Sequence, residues 1–149
     1  MSARAKVAPK PSFTLKRRLN APPEKVYAAW TDPEKLKRWF GPEQIETLRA
    51  DTDARVGSRL RIVMRGTDGG EQDVSGVYRE VVPNEKMVFT WAWRSTPERE
   101  SLVTVVTKPE GAGSLLTLIH EQFFDEAVDR HEHGWIGCPD KLERYFAQP

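Results

Sequence analysis

The chain has one cysteine, Cys138, and three histidines in 149 residues. A lone cysteine excludes an internal disulfide framework and fits a reducing, cytoplasmic setting. Long apolar runs are missing too. None approaches the ~20 residues that a membrane-spanning helix needs, so no membrane span is expected. The start, Met1 to Ser12, lacks the apolar stretch of a secretory signal. An excess of charge of one sign is also lacking, since 23 Lys and Arg face 22 Asp and Glu for a net charge of +1. That balance argues against a nucleic-acid partner, which usually calls for a strong basic excess. The length fits one domain with a substantial core and leaves little room for two.

What is present is unevenly placed. The first 18 residues carry Arg4, Lys6, Lys10, Lys16, Arg17 and Arg18 and no acid, so the remainder is net acidic. Pro9 and Pro11 interrupt this stretch, which reads as a basic, solvated tail over residues 1–12, with a folded domain over 13–149. From Phe13 the pattern has period two, and Phe13, Leu15, Arg17 and Leu19 share one strand face. Pro22-Pro23 opens a helix through Val26, Tyr27, Ala29 and Trp30. Asp32-Pro33 is a cap followed by a first-turn proline, predicting a second short helix through Leu36 and Trp39 that stops at Gly41-Pro42.

The middle of the chain predicts antiparallel strands separated by turn residues. Leu60, Ile62 and Met64 alternate with Arg59, Arg61 and Arg65, apolar inward and basic outward. Thr67-Asp68-Gly69-Gly70, Pro83-Asn84 and Glu110-Gly111-Ala112-Gly113 are turn signals. Between them lie strands at Val74–Val82, Met87–Trp93, Leu102–Thr107 and Leu115–His120. After Phe124 the period becomes 3.6. Phe124, Val128, His131, Trp135, Cys138 and Leu142 form the apolar stripe of a terminal helix of about 20 residues, ~30 Å long. Pro139 inside that helix predicts a kink or break between Trp135 and Pro139. The order is strand, two short helices, about six strands and a long helix. This is an α+β arrangement in which the helix stripe packs across one face of a curved antiparallel sheet of about six or seven strands.

Several phrases in this order resemble a known family. They are Ala21-Pro22-Pro23-Glu24-Lys25-Val26-Tyr27, Trp30-Thr31-Asp32-Pro33, Trp39-Phe40-Gly41-Pro42, Val56-Gly57-Ser58, Gly76 to Pro83, and His131-Glu132-His133-Gly134-Trp135. Together they resemble the activator-of-heat-shock-protein-ATPase-like branch of the START-like (SRPBCC) superfamily, over about Phe13 to Phe146. The resemblance implies a helix-grip fold, with the sheet wrapped around the C-terminal helix and a cavity between them. It implies ligand binding in many relatives, catalysis in some, and chaperone assistance in the eukaryotic namesake. Many relatives self-associate, so a homodimer is one arrangement it allows. Pro139 departs from the family pattern, in which an apolar residue continues the helix.

Small-molecule sites are concave and mostly apolar, with a few convergent polar groups. The candidates for such a lining are Trp39, Phe40, Met64, Tyr78, Phe89, Trp91, His120, Phe124, His131, Trp135 and Cys138. Large aromatics also fill ordinary cores, so the cavity follows from the family fold rather than from these residues alone.

A metal site is not expected. His131 and His133 point about 200° apart on a helix, and His131 and Cys138 sit some 10 Å apart along its axis. Cys138 has no base placed beside it by the sequence, so it reads as a small core hydrophobe rather than a nucleophile. Acid–base chemistry of the polyketide cyclase or dehydratase type would have to draw on Tyr78, His120, Glu121 and His131, and no carboxylate pair is placed to share it. No catalytic residue and no cofactor is therefore assigned. Chaperone-ATPase stimulation in the namesake needs a second domain, for which 149 residues leave no room. The reading favours binding of a small apolar or amphipathic molecule, in transport, sensing or stress response, with lipids among the candidate ligands.

Overall fold

Period-two alternation resolves into seven strands, and the prolines punctuate the helices as expected. The computed structural model describes residues 12–40, 46–66, 69–95, 97–98, 100–121 and 141–146. The elements are β1 (Ser12–Leu19), α1 (Pro23–Thr31), α2 (Pro33–Trp39), β2 (Glu46–Asp51), β3 (Arg59–Arg65), β4 (Glu71–Val82), β5 (Lys86–Trp93), β6 (Ser101–Glu110) and β7 (Gly113–Glu121). All pairings are antiparallel and the sheet order is β1-β7-β6-β5-β4-β3-β2. Consecutive strands from β2 to β7 are hairpin neighbours, and β1 closes onto β7 from the other end of the chain. This is the helix-grip arrangement.

Local chemistry sets the ends of each element. Pro22 caps α1 with Pro23 in its first turn. Asp32 caps α2, its carboxylate accepting from Glu34 N at 2.9 Å and Lys35 N at 3.4 Å. Asn84 turns β4 into β5 at φ 66°, a left-handed conformation that asparagine tolerates. Gly111 does the same between β6 and β7 at φ 61°, in a two-residue loop closed by the Glu110–Gly113 pair.

One face of the sheet is apolar and packs on α1, α2 and the helical turn at residues 141–146. Residues 141–146 are helical, and Leu142 is fully buried in the core. Two contacts hold this turn in place. Lys141 Nζ donates to the Phe40 carbonyl at 3.3 Å, and Arg17 Nη1 pairs with Glu143 Oε1 at 3.0 Å. The rest of the expected helix lies outside the described residues, with Phe124, His131, Trp135, Cys138 and the predicted break at Pro139. So does the stretch 1–11. Among the described residues, no helix is long and apolar enough to cross a membrane.

The opposite face of β2, β3 and β4 carries the charges that alternate with the core. Arg61 makes a two-pronged contact with Asp73, Nη2 to Oδ2 at 2.7 Å and Nε to Oδ1 at 3.1 Å. These hydrogen bonds, and behind them the charges of Arg61, Arg94 and Arg49, hold the Asp73 carboxyl below its ordinary value of 3.8. A carboxyl lowered on folding stabilises the native state above its unfolded value, and that contribution is lost as the pH falls through the lowered value. Asp73→Asn is therefore expected to cost about 1 kcal/mol or less at neutral pH, since Arg61 is partly solvated. Urea melts should show the gap from wild type closing below pH 3.8. A gap that persists unchanged in acid contradicts the assignment.

Candidate functional site

Strand register assembles one row of side chains across the inner face. Tyr78 of β4 pairs with Phe89 of β5, Phe89 with Val103 of β6, Val103 with His120 of β7, and His120 with Phe13 of β1. All five alternate inward and are buried. At about 4.8 Å per strand, the row spans some 19 Å. Its rings touch edge to face or tilted. Tyr78 and Phe89 lie 5.8 Å apart, as do Phe13 and His120. Trp91, two residues beyond Phe89, lies 6.1 Å from both Phe89 and His120. Phe40, which ends α2, meets Trp91 at 6.1 Å. Offset and edge contacts of this kind suit the aromatic quadrupole and add specificity beyond burial.

Trp39 stands behind Phe40. It packs edge-on against Trp30 at 4.8 Å, and its Nε1–H donates to the Ala29 carbonyl at 2.9 Å. That carbonyl belongs to the last turn of α1, where the helix itself supplies no donor. Thr47 Oγ1 likewise donates to the Phe40 carbonyl at 3.0 Å. The two helices are thus fixed to each other and to β2 before any contact with the wall is counted.

One polar pair interrupts the aromatic surface. His120 is 0% exposed, and its Nε2 lies 2.7 Å from Ser101 Oγ. The same hydroxyl lies 3.2 Å from the Trp91 carbonyl oxygen. Serine has one proton, which goes either to that carbonyl or to His120 Nε2, so the tautomer of the imidazole sets which of the two contacts the hydroxyl donates. Either placement orients the ring.

Tyr78 marks the other end of the row. Burial, with smaller contributions from Tyr27 and Asp53, pushes its phenol well above the ordinary tyrosine value. Burial raises the Tyr27 phenol as well. Asp53 is held low by its hydrogen bond from Arg55 and keeps its charge.

The structure gathers Phe40, Tyr78, Phe89, Trp91 and His120, with Trp39 in a second layer. Met64 is buried but stands apart. It pairs with Gln72, and the length of β4 from Gln72 to Tyr78 corresponds to about 20 Å. Phe124, His131, Trp135 and Cys138 lie outside the described residues. Sequence reasoning passed over Phe13 and Ser101. Ser101 sits in phase with the inward Val103 and Val105, and a serine at an apolar position of a strand was the available signal. Among the described residues, no cluster of three or more His, Cys, Asp or Glu could hold a metal ion.

Comparison with known proteins agrees with this architecture. Residues 20–147 match the model of the family described as Activator of Hsp90 ATPase homolog 1-like protein. A solved protein from Chromobacterium violaceum is 27% identical, with 95% of this chain and 100% of that one covered and a TM-score of 0.84. The AHSA1 protein from Silicibacter pomeroyi is 32% identical, with coverage of 92% and 98% and a TM-score of 0.82. CalU16 from Micromonospora echinospora is 26% identical, covering 91% and 76%, with a TM-score of 0.69. No curated protein matches.

Proposed function

Because the chain belongs to the Activator of Hsp90 ATPase homolog 1-like family, whose fold is in general that of a ligand-binding cavity, we propose that it binds a small apolar or amphipathic molecule against the inner face of the sheet. The observation that carries this reading is the row Tyr78–Phe89–Val103–His120–Phe13. It is an aromatic wall with a polar group at Tyr78 and another at His120, rather than the uniform aliphatic packing of β5 to β7 one row further on, at Met87, Val105 and Leu118. Apolar burial at about 25 cal/mol per Å² supplies the driving force, and the two polar points orient the guest. Transport, sensing or a role in stress follows from occupancy.

The test uses the full chain. Nile red, a neutral apolar dye, is titrated into the purified protein while dye and tryptophan emission are followed. Native mass spectrometry then looks for a co-purified small molecule. Saturable binding of about one dye per chain, with Trp91 emission perturbed and the effect weakened at least tenfold in Trp91→Ala, is the expected result. No saturable binding and no retained mass would remove the reading.

A further inference from the structure

The outer face of the sheet changes character across its width. Over β2 to β4 it is charged, with Arg61 bound to Asp73. Over β5 to β7 the side chains out of phase with the core include Val88, Leu102, Thr104, Val106, Thr117 and Ile119. The two short helices and the turn at 141–146 pack on the inner face, so among the described residues no element lies over this patch. β6 carries a symmetric pattern along it. Glu100 precedes the strand, and Leu102, Thr104, Val106 and Lys108 follow at every second position. An acid and a base thus stand at equal distances from Thr104, each with an aliphatic side chain between. Both are exposed, and among the described residues neither forms an ion pair.

We propose that this face is an interface between two copies of the chain, stacked sheet on sheet about a two-fold axis along the row Thr14–Ile119–Thr104–Val88. A half-turn about that row lays each strand over its own copy in the opposite direction. Leu102 then faces Val106 of the second copy, and Glu100 faces Lys108, twice over. Lys and Glu side chains together reach across the ~10 Å between packed sheets. The rows on either side of the axis exchange as well. Glu121, level with Leu102, comes over Thr117 of the second copy, beside Lys16. An axis along the strands would instead set Lys108 over Lys108, so the charges select the antiparallel stack. A patch from Glu100 to Lys108 across β1, β7, β6 and β5 covers about 500 Å² on each copy, about 1,000 Å² in all, at the low end for a specific contact. The dimer is accordingly weak and depends on concentration. It leaves the inner face of each copy free for the guest.

Sedimentation velocity on the full chain tests this between about 5 and 500 µM, where a contact of this size associates. Wild type should pass from monomer toward dimer, and less so at high salt. Thr104→Arg sets two guanidinium groups on the axis and should abolish association. Lys108→Glu turns both attractions across the interface into repulsions and should weaken it roughly tenfold, whereas Glu100→Lys combined with Lys108→Glu restores opposite charges and should return it to within about threefold of wild type. Melting temperatures measured at low concentration establish that each variant is folded, and the charge reversal with its rescue decides the matter even where Thr104→Arg unfolds. A monomer at every concentration overturns the proposal. So does a dimer indifferent to Thr104→Arg and Lys108→Glu, which would lie on another surface. A double variant no better than Lys108→Glu alone overturns it too, since Glu100 and Lys108 would then not meet.

Discussion

Gly76→Ala is expected to prevent stable folding, with a loss above about 4 kcal/mol, the range reserved for a named structural conflict. Gly76 sits inside β4, paired with Leu60 of β3. A Cβ placed there would lie 1.7 Å from the Thr90 carbonyl oxygen and 2.6 Å from its carbon. Both are backbone atoms of β5, so no rotamer change relieves the clash. Either β4 moves away from β5 or Thr90 leaves its place. The second route breaks another contact, because the Val77 N–H donates to Thr90 Oγ1 at 2.8 Å beside the register shift that follows Tyr78. Separating these strands would also misplace Tyr78 and Phe89, the start of the aromatic row. Urea denaturation and soluble yield at neutral pH measure the effect. Gly111→Ala is the contrast. It strains a positive φ, but its Cβ comes no closer than 3.8 Å to any neighbour, and its cost should stay within about 1–2 kcal/mol. Comparable losses in both variants would show that backbone conformation, and not close approach, governs Gly76.

The second large effect is at Trp39. Trp39→Ala should lower stability by about 3–5 kcal/mol, the usual cost of emptying a buried large aromatic site. The indole is 1% exposed and serves two purposes at once. It fills the space between Trp30 and Phe40, and it satisfies the Ala29 carbonyl at the end of α1. Trp39→Phe separates the two. It keeps most of the ring packing and removes the donor, so about 1–3 kcal/mol should be lost. Thermal melts of the three proteins give the ordering. If the Phe variant loses as much as the Ala variant, the hydrogen bond outweighs the packing and the account of this corner needs revision. Phe40 leans on Trp39 and faces Trp91, so the Ala variant should also weaken Nile red binding, through displacement of Phe40 from the wall.

Much of this was legible in the chain. Pro22-Pro23 and Asp32-Pro33 placed both short helices, because proline's fixed φ and a capping carboxylate act within one turn. Leu60, Ile62 and Met64 revealed the buried face of β3, because side chains alternate strictly along a strand. Strand ends were harder. β4 begins at Glu71 and not at Val74, and β6 runs from Ser101 to Glu110, past the expected Thr107. Polar residues there continue the ladder on backbone hydrogen bonds, which composition does not record.

Alternation along each strand told which side chains turn inward, a property of neighbours in sequence. It did not tell which inward residues stand side by side. That depends on register between strands far apart in the chain, as when Phe13 meets His120, and on the short reach from Ser101 to His120. Met64 and Tyr78 look equivalent as inward residues of adjoining strands, yet Met64 pairs with Gln72, well along β4 from Tyr78. The sequence by itself determined the elements, their order and their apolar faces, since these follow from local backbone preference and side-chain period. Only the tertiary structure decided which rings form a continuous wall and which polar groups satisfy each other, because hydrogen bonding and ring packing act over a few ångströms of space whatever the separation along the chain.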